Sequence, residues 1–116
     1  MVREAVFMVL AGRVAGCRFL DLFAGSGAVG LEAWSRGAEF VHFVESNRRA
    51  AETLKSNARE CGAEGLKVEM RDVRSFLRKP CVEKGFDIVF ADPPYGGKGR
   101  DMDAHDWFGI LSKGLD

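Results

Sequence analysis

The sequence predicts an α/β fold, a parallel sheet with flanking helices, and three observations carry the prediction. Short apolar runs alternate with helical-period segments in the order αβαβαβαβα, the pattern of strands joined by right-handed helical crossovers. One apolar run, Phe19-Leu20-Asp21-Leu22-Phe23, leads into glycines at Gly25, Gly27 and Gly30, spaced G-x-G-x-x-G. Glycines so placed allow a tight strand-to-helix turn, close approach of a ligand to the backbone, and close packing of helix on strand. A further apolar run, F-D-I-V-F, ends in Ala91-Asp92-Pro93-Pro94-Tyr95, a second motif downstream of the first.

The elements follow in order. Val2, Val6, Val9 and Leu10 recur at helical spacing, which predicts a first helix over about Val2 to Ala11, broken by Gly12 and Gly16. Arg18 to Phe23 is a short buried strand, followed by the glycine turn and a helix over about Ala28 to Arg36 that Gly37 stops. Phe40 to Val44 is the second strand and ends at Glu45. Ser46 is the expected N-cap of a helix reaching about Cys61, with Ala51, Leu54, Ala58 and Cys61 as its apolar stripe and Gly62 as its terminator. Leu66 to Met70 is the third strand, Val73 to Arg78 a short helix that Pro80 stops, and Phe86 to Phe90 the fourth strand. Asp101 can cap a last helix over Met102 to Leu111. With four strands the last has an uncovered apolar edge, where two copies of the chain can pair as a homodimer.

At 116 residues the chain is a single domain, 1–116, with an ordinary apolar share of 47%. Lys plus Arg and Asp plus Glu both number 17, so bulk charge does not itself point to nucleic acid; any basic face must be local. No apolar stretch approaches the roughly 20 residues of a membrane span. Glu4 stands where a signal peptide is basic, and no small-residue cleavage site follows. Cys17, Cys61 and Cys81 are odd in number and widely spaced, which reads as reduced thiols in a cytoplasmic protein and not as a metal site.

The acids at the strand ends suggest the chemistry. Glu45, ending the second strand, is placed to accept both hydroxyls of a ribose, a reading the glycine turn favours over a solvated loop acid. Asp72 can accept from an adenine amino group or cap the helix that follows. Asp21 can meet an ammonium of the ligand or the loop's own amides. Acids in this number argue against a pyrophosphate. At Asp92-Pro93-Pro94-Tyr95, two prolines lock φ and remove two donors, leaving carbonyl acceptors and the Asp92 carboxylate. Such a corner suits a planar –NH2 group that donates both hydrogens, and Tyr95 offers a face for stacking a base. A rigid strand-ending turn explains the same residues without function, but less well once the glycine turn is counted.

D-L-F-A-G-S-G-A-V-G-L-E-A, Glu45, L-K-S-N at Leu54 to Asn57 and D-I-V-F-A-D-P-P-Y together resemble the class I S-adenosylmethionine-dependent methyltransferases. More narrowly, with its opening V-R-E-A-V-F, the chain resembles the RsmD family of bacterial 16S rRNA guanine-N2 methyltransferases over essentially its whole length. The resemblance implies a Rossmann-like class I methyltransferase fold. It also implies a chain truncated at both ends, starting after an Arg-Pro-containing arm and stopping before three C-terminal strands. By the resemblance, Asp21, Gly25, Gly27 and the loop around Ser26 hold the methionine part of S-adenosylmethionine, Glu45 the ribose, and Asp72 with Val73 the adenine. Phe23, Ala24 and Ser46 are implied as further cofactor-binding residues. Asp92, Pro93, Pro94 and Tyr95 hold the guanine amine, with Asp92 also on the cofactor side. The implied partner is 16S rRNA or a small-subunit assembly intermediate, with no membrane and no metal.

The implied reaction is in-line methyl transfer to an exocyclic base nitrogen, with Asp92 orienting the amine and accepting its proton. The tetrapeptide fits adenine-N6, cytosine-N4 or a glutamine amide as well, so a DNA amino-methyltransferase is the first alternative. A cofactor-binding module without catalysis is the second. A nicotinamide dehydrogenase is a distant third, lacking any hydride-transfer site. His42 and His105 read as packing and helix surface, Trp34 and Trp107 as core or edge cover. Lys98 and Arg100 can touch phosphate or be solvated, and Arg48, Arg49, Lys55 and Arg59 form the wet face of a helix.

Overall fold

The computed structural model describes residues 6–9, 13–78 and 85–93. In chain order these form β1 (Val6–Val9), β2 (Arg18–Leu22), α1 (Ala28–Ser35), β3 (Phe40–Glu45), α2 (Arg48–Cys61), β4 (Leu66–Met70), α3 (Val73–Arg78) and β5 (Ile88–Ala91). The sheet order is β1-β5-β2-β3-β4. From β2 the chain steps outward to β3 and β4, then returns to the other side of β2 as β5. All of these neighbours run parallel. The reversal between β2 and β5 is the topological switch point of a Rossmann-like sheet, the place where such folds bind ligands beyond the carboxyl ends of the strands.

The central strands β2, β3 and β5 read as largely apolar runs because both faces of the sheet are covered there, while the edge strand β4 is only partly buried. On one face Leu20, Leu22, Val44 and Val89 pack with Val73, Phe76 and Leu77 of α3. On the other, Phe19, Val41, Phe43 and Ile88 pack with Ala33 of α1 and Leu54 of α2. Trp34 is half-buried against this second cluster, as edge cover. His42 is buried at 2% exposure, edge-on to Phe40, Phe76 and Phe86, so packing is its observed role. Arg48, Arg49, Lys55 and Arg59 are all exposed. Among the described residues no helix is long and apolar enough to cross a membrane.

The structure corrects several expectations. The opening segment is not a helix over Val2 to Ala11: Val6–Val9 is a strand, antiparallel to β5 with Val6 opposite Ala91 and Val9 opposite Ile88. Four apolar residues carry too short a period to separate helix from strand. What decides is the row of unpaired backbone groups along β5, which β1 satisfies. The sheet is therefore mixed, with four parallel strands and one antiparallel. The strand read as the fourth, now β5, has a neighbour on each side, so the expected homodimer has no free edge there. β5 spans Ile88–Ala91 and not Phe86 to Phe90, because Asp87 turns its carboxylate back to accept from the Arg18 N–H at 2.9 Å. The cap of α2 is Asn47 and not Ser46: Asn47 Oδ1 accepts from the Ala50 N–H at 2.9 Å. Gly62, at φ 66°, closes α2 as expected, but Cys61 is exposed and lies off the apolar stripe. The helix expected over Met102 to Leu111, with His105 and Trp107, lies outside the described residues, as do Cys81, Lys98 and Arg100.

α1 lies unusually close to the sheet. A Cβ on Gly30 would stand 2.2 Å from the ring of Phe43 and 3.0 Å from Asp21 Oδ2. Phe43 is fully buried and has nowhere to go. Gly30→Ala is therefore expected to destabilise the chain by about 1–3 kcal/mol, the usual cost of overpacking a filled core. Urea unfolding of the variant beside the parent measures it.

Candidate functional site

The register of the sheet builds the site. Leu22 stands opposite Ala91 on one side and Val44 on the other, so β2, β3 and β5 end side by side. Their next residues bring the glycine turn, Glu45 and Asp92 to one edge. Two motifs that lie far apart in the chain thus come to the same end of the sheet, close enough that the charges of Glu45 and Asp92 act on Asp21.

The three glycines each answer a different demand. Gly25 adopts φ 59°, and nothing lies within 4 Å of where its Cβ would be, so its open side is free for a ligand. Gly27 adopts φ 89°, and a Cβ there would meet Leu54 Cδ1 at 2.1 Å; it is the seat of α2 on the loop. Gly30 lets α1 approach β3. Phe23 also holds a positive φ of 59°, a conformation that costs a bulky side chain about 1–3 kcal/mol and tends to collect at functional sites. α1 begins from Gly27 with no side-chain cap. The amides of Ala28 and Val29 fall in its first turn, where helix geometry offers no acceptor, and both residues are exposed.

Asp21 is 1% exposed, and its Oδ2 accepts from the Gly30 N–H at 3.0 Å. Burial pushes its carboxyl up to about 8. The Gly30 hydrogen bond opposes that rise, and the nearby charges of Glu45 and Asp92 add to it. Glu45 ties loop to helix: Oε1 accepts from the Gly25 N–H at 2.7 Å and Oε2 from the Asn47 N–H at 2.9 Å. Asp92 is half-buried with Oδ1 shielded from solvent, and Pro93 is buried. Asp72 caps α3, its Oδ2 accepting from the Ser75 N–H at 3.1 Å, which is one of its two expected roles. Val73 is 3% exposed with its side chain in the core, so only its backbone can meet a ligand. Ser46 and Ser26 are exposed, while Phe23 and Ala24 are half-buried beside the turn. Pro94 and Tyr95 lie outside the described residues.

Two features escaped the sequence reading. Glu69 bridges His42 Nε2 at 3.0 Å and Arg71 Nε at 2.7 Å, and the Arg71 N–H donates to the Glu45 carbonyl at 3.0 Å. This chain of contacts stiffens the loop between β4 and α3. Asn57 Nδ2 donates to the Ser26 carbonyl at 3.0 Å, across 31 positions of sequence. Neither pairing follows from spacing; only the L-K-S-N run marked Asn57 at all.

A nest of carboxyl groups with one buried acid held largely neutral suits a cationic ligand with hydroxyls and suits a phosphate poorly. The donor set fits a sulfonium nucleoside bearing an ammonium group.

Comparison with known proteins gives the family to which the chain is similar. A family model described as conserved hypothetical protein 95 matches residues 1–106. The ribosomal RNA small subunit methyltransferase D of Haemophilus influenzae is 38% identical over 96 residues, covering 81% of this chain and 50% of that protein. Its namesake from Escherichia coli K12 is 40% identical over 96 residues, covering 81% and 46%. The solved structure of a hypothetical protein from Thermus thermophilus superposes with a TM-score of 0.65 at 40% identity, covering 84% of this chain and 53% of that one. The chain spans about half the length of the curated relatives it matches.

The raised Asp21 carboxyl has a consequence for stability. Unfolded, Asp21 releases its proton near 3.8; folded, it keeps it until about 8. Between those values the folded state binds more protons, so this residue's contribution to stability falls as pH rises and is lowest above about 8. Asp21→Asn keeps an acceptor for Gly30 and cannot ionise. Its stability relative to the parent is expected to climb steadily from pH 4 to pH 8, read by thermal melting across that range; a constant difference would mean Asp21 does not titrate there.

Proposed function

The chain belongs to this family, the RsmD family of methyltransferases, and on that premise we propose that it binds S-adenosylmethionine and methylates an exocyclic amino nitrogen of a nucleobase, guanine-N2 of 16S rRNA. The observation that carries the proposal is the parallel pairing of β2 with β5, which sets the glycine turn and Asp92 at one edge of the sheet. The relatives' names, as small-subunit rRNA methyltransferases, support the substrate class. Guanine-N2 rests on the family resemblance of the D-P-P-Y corner.

When bound, S-adenosylmethionine supplies a methyl group on a positively charged sulfur, a good leaving group. Gly25, Ser26 and Gly27 offer backbone for the methionine part. Asp21, buried beneath the turn, is the acid nearest to take an ammonium as partner, and such a partner would favour its ionised form. Glu45 has lone pairs left beyond its bonds to Gly25 and Asn47, and these accept the ribose hydroxyls. Asp72 and the Val73 backbone meet the adenine, and Ser46 lines the ribose side. Phe23 and Ala24 shape the turn. Asp92 and the Pro93 and Pro94 carbonyls accept from the target –NH2, draw its lone pair away from the ring, and leave Asp92 to take the proton as charge develops. Tyr95 stacks the base. Positioning supplies most of the rate.

The direct test is transfer of labelled methyl from S-adenosylmethionine to small-subunit ribosomal RNA, free and in assembling subunits, with DNA as the competing acceptor. Label in guanine-N2 of the RNA is the expected outcome; label in DNA alone, or cofactor binding with transfer to neither, would replace it with one of the alternatives. Asp92→Asn is expected to lower kcat about 10²- to 10⁴-fold, the usual contribution of a positioned base. Its affinity for S-adenosylhomocysteine should change far less.

A further inference from the structure

The glycine turn is bounded by hydrogen bonds that leave one peptide unit in a decisive position. The Ala24 N–H donates to the Val44 carbonyl at 3.1 Å, the Gly27 N–H to the Ala24 carbonyl at 2.9 Å, and the Leu31 N–H to the Gly27 carbonyl at 2.8 Å. Gly25 donates to Glu45. In a trans peptide the C=O and N–H point opposite ways. The unit joining Ser26 to Gly27 therefore has its N–H turned in toward Ala24 and its C=O turned out toward α2. There the Asn57 side chain receives it at 3.0 Å. Positive φ at Gly25 and Gly27 gives this stretch freedoms that no side chain of its own restrains. Asn57 holds one end of the peptide plane and Ala24 the other.

α2 is built to deliver that amide. Leu54, three residues before Asn57 and so on the same helix face, is fully buried beneath Gly27, whose missing Cβ leaves it room. The Asn47 cap and the buried Ala51 and Leu54 hold the helix independently of Asn57. An exposed hydrogen bond adds little to the stability of a helix so anchored. Its effect falls on the turn.

We propose that Asn57 is a positioning residue for the cofactor: by fixing the Ser26–Gly27 peptide it holds the glycine turn in the shape that receives the methionine part of S-adenosylmethionine. This rests on the cofactor reading above. It adds a residue that makes no contact with the reacting atoms and acts from the neighbouring helix through the backbone of the turn.

The test compares the parent chain with Asn57→Ala, Asn57→Asp and Asn57→Gln by two readouts. Amide hydrogen exchange without ligand is followed at Gly25 to Ala28, with α2 and the melting temperature as controls. Calorimetry with S-adenosylhomocysteine measures affinity. Asn57→Ala should speed exchange in the turn and weaken binding, each about five- to tenfold, the scale of one neutral hydrogen bond. The α2 amides and the melting temperature should hold. Asn57→Asp should be worse than Ala, because a carboxylate faces a carbonyl, and Asn57→Gln should recover toward the parent. Unchanged exchange in the turn overturns the proposal whatever binding does. Faster exchange with parental affinity overturns it too, by uncoupling the turn from the ligand. Failure of the parent itself to bind would instead bring down the cofactor reading, and this proposal with it.

Discussion

Everything at this site is referred to one buried contact, the carboxyl of Asp21 accepting from the Gly30 amide at 3.0 Å. It fixes α1 to β2 at the point where helix and sheet come closest, and both partners are sealed from solvent. Leaving either without the other would expose the fold to about 1–3 kcal/mol of unmatched polarity, enough to matter in a domain of ordinary stability. The same contact explains why an acid is tolerated so deep. One amide answers one oxygen, burial keeps the proton on, and Glu45 and Asp92 discourage its release. The turn above inherits its position from this anchor.

A site for a positively charged nucleoside follows with few additions. Negative potential gathers where three parallel strands end, and the short turn keeps side chains out of the way. Glu45 spends its carboxylate on two backbone amides, one in the turn and one at the head of α2, and so couples strand, turn and helix before any ligand arrives. α2 answers from below with Leu54 and Asn57. The turn is thereby held from three directions, by Glu45, Leu54 and Asn57. Such preorganisation is what a reaction needs when alignment supplies most of its rate.

Much of this was legible in the residues because the signals are local. The F-L-D-L-F run, the glycines after it and the helix stop at Gly37 each encode their own conformation, and β2, β3, β4, α2 and α3 lie where their patterns put them. Asp92-Pro93 and the glycine turn come to one end of the sheet because parallel pairing obliges their strands to end together, a rule of topology more than of sequence. What could not be read is what depends on distant partners. Val6–Val9 carries the same apolar spacing as a helical turn, and only the open side of β5 makes it a strand. Ser46 and Asn47 are both good caps, and the choice went to Asn47 because Glu45 holds its amide in place. Cys61 has the period of the stripe but stands in the last turn of α2, next to the Gly62 cap, where it is exposed. Asn57 looks like any polar helix residue until the turn is folded against it.

The pairing of β1 with β5 also bears on how the sheet can assemble. β2, β3 and β4 are neighbours in space in the same sequence as along the chain, so they can zip together as they leave the ribosome. β1 emerges before all of them yet has no berth until β5, the final described strand, has docked beside β2. Val6 finds its partner in Ala91, the widest sequence span among the described strand pairings, and contacts so distant in the chain are the slow ones to form. The first and last of the described strands are thus stitched to each other.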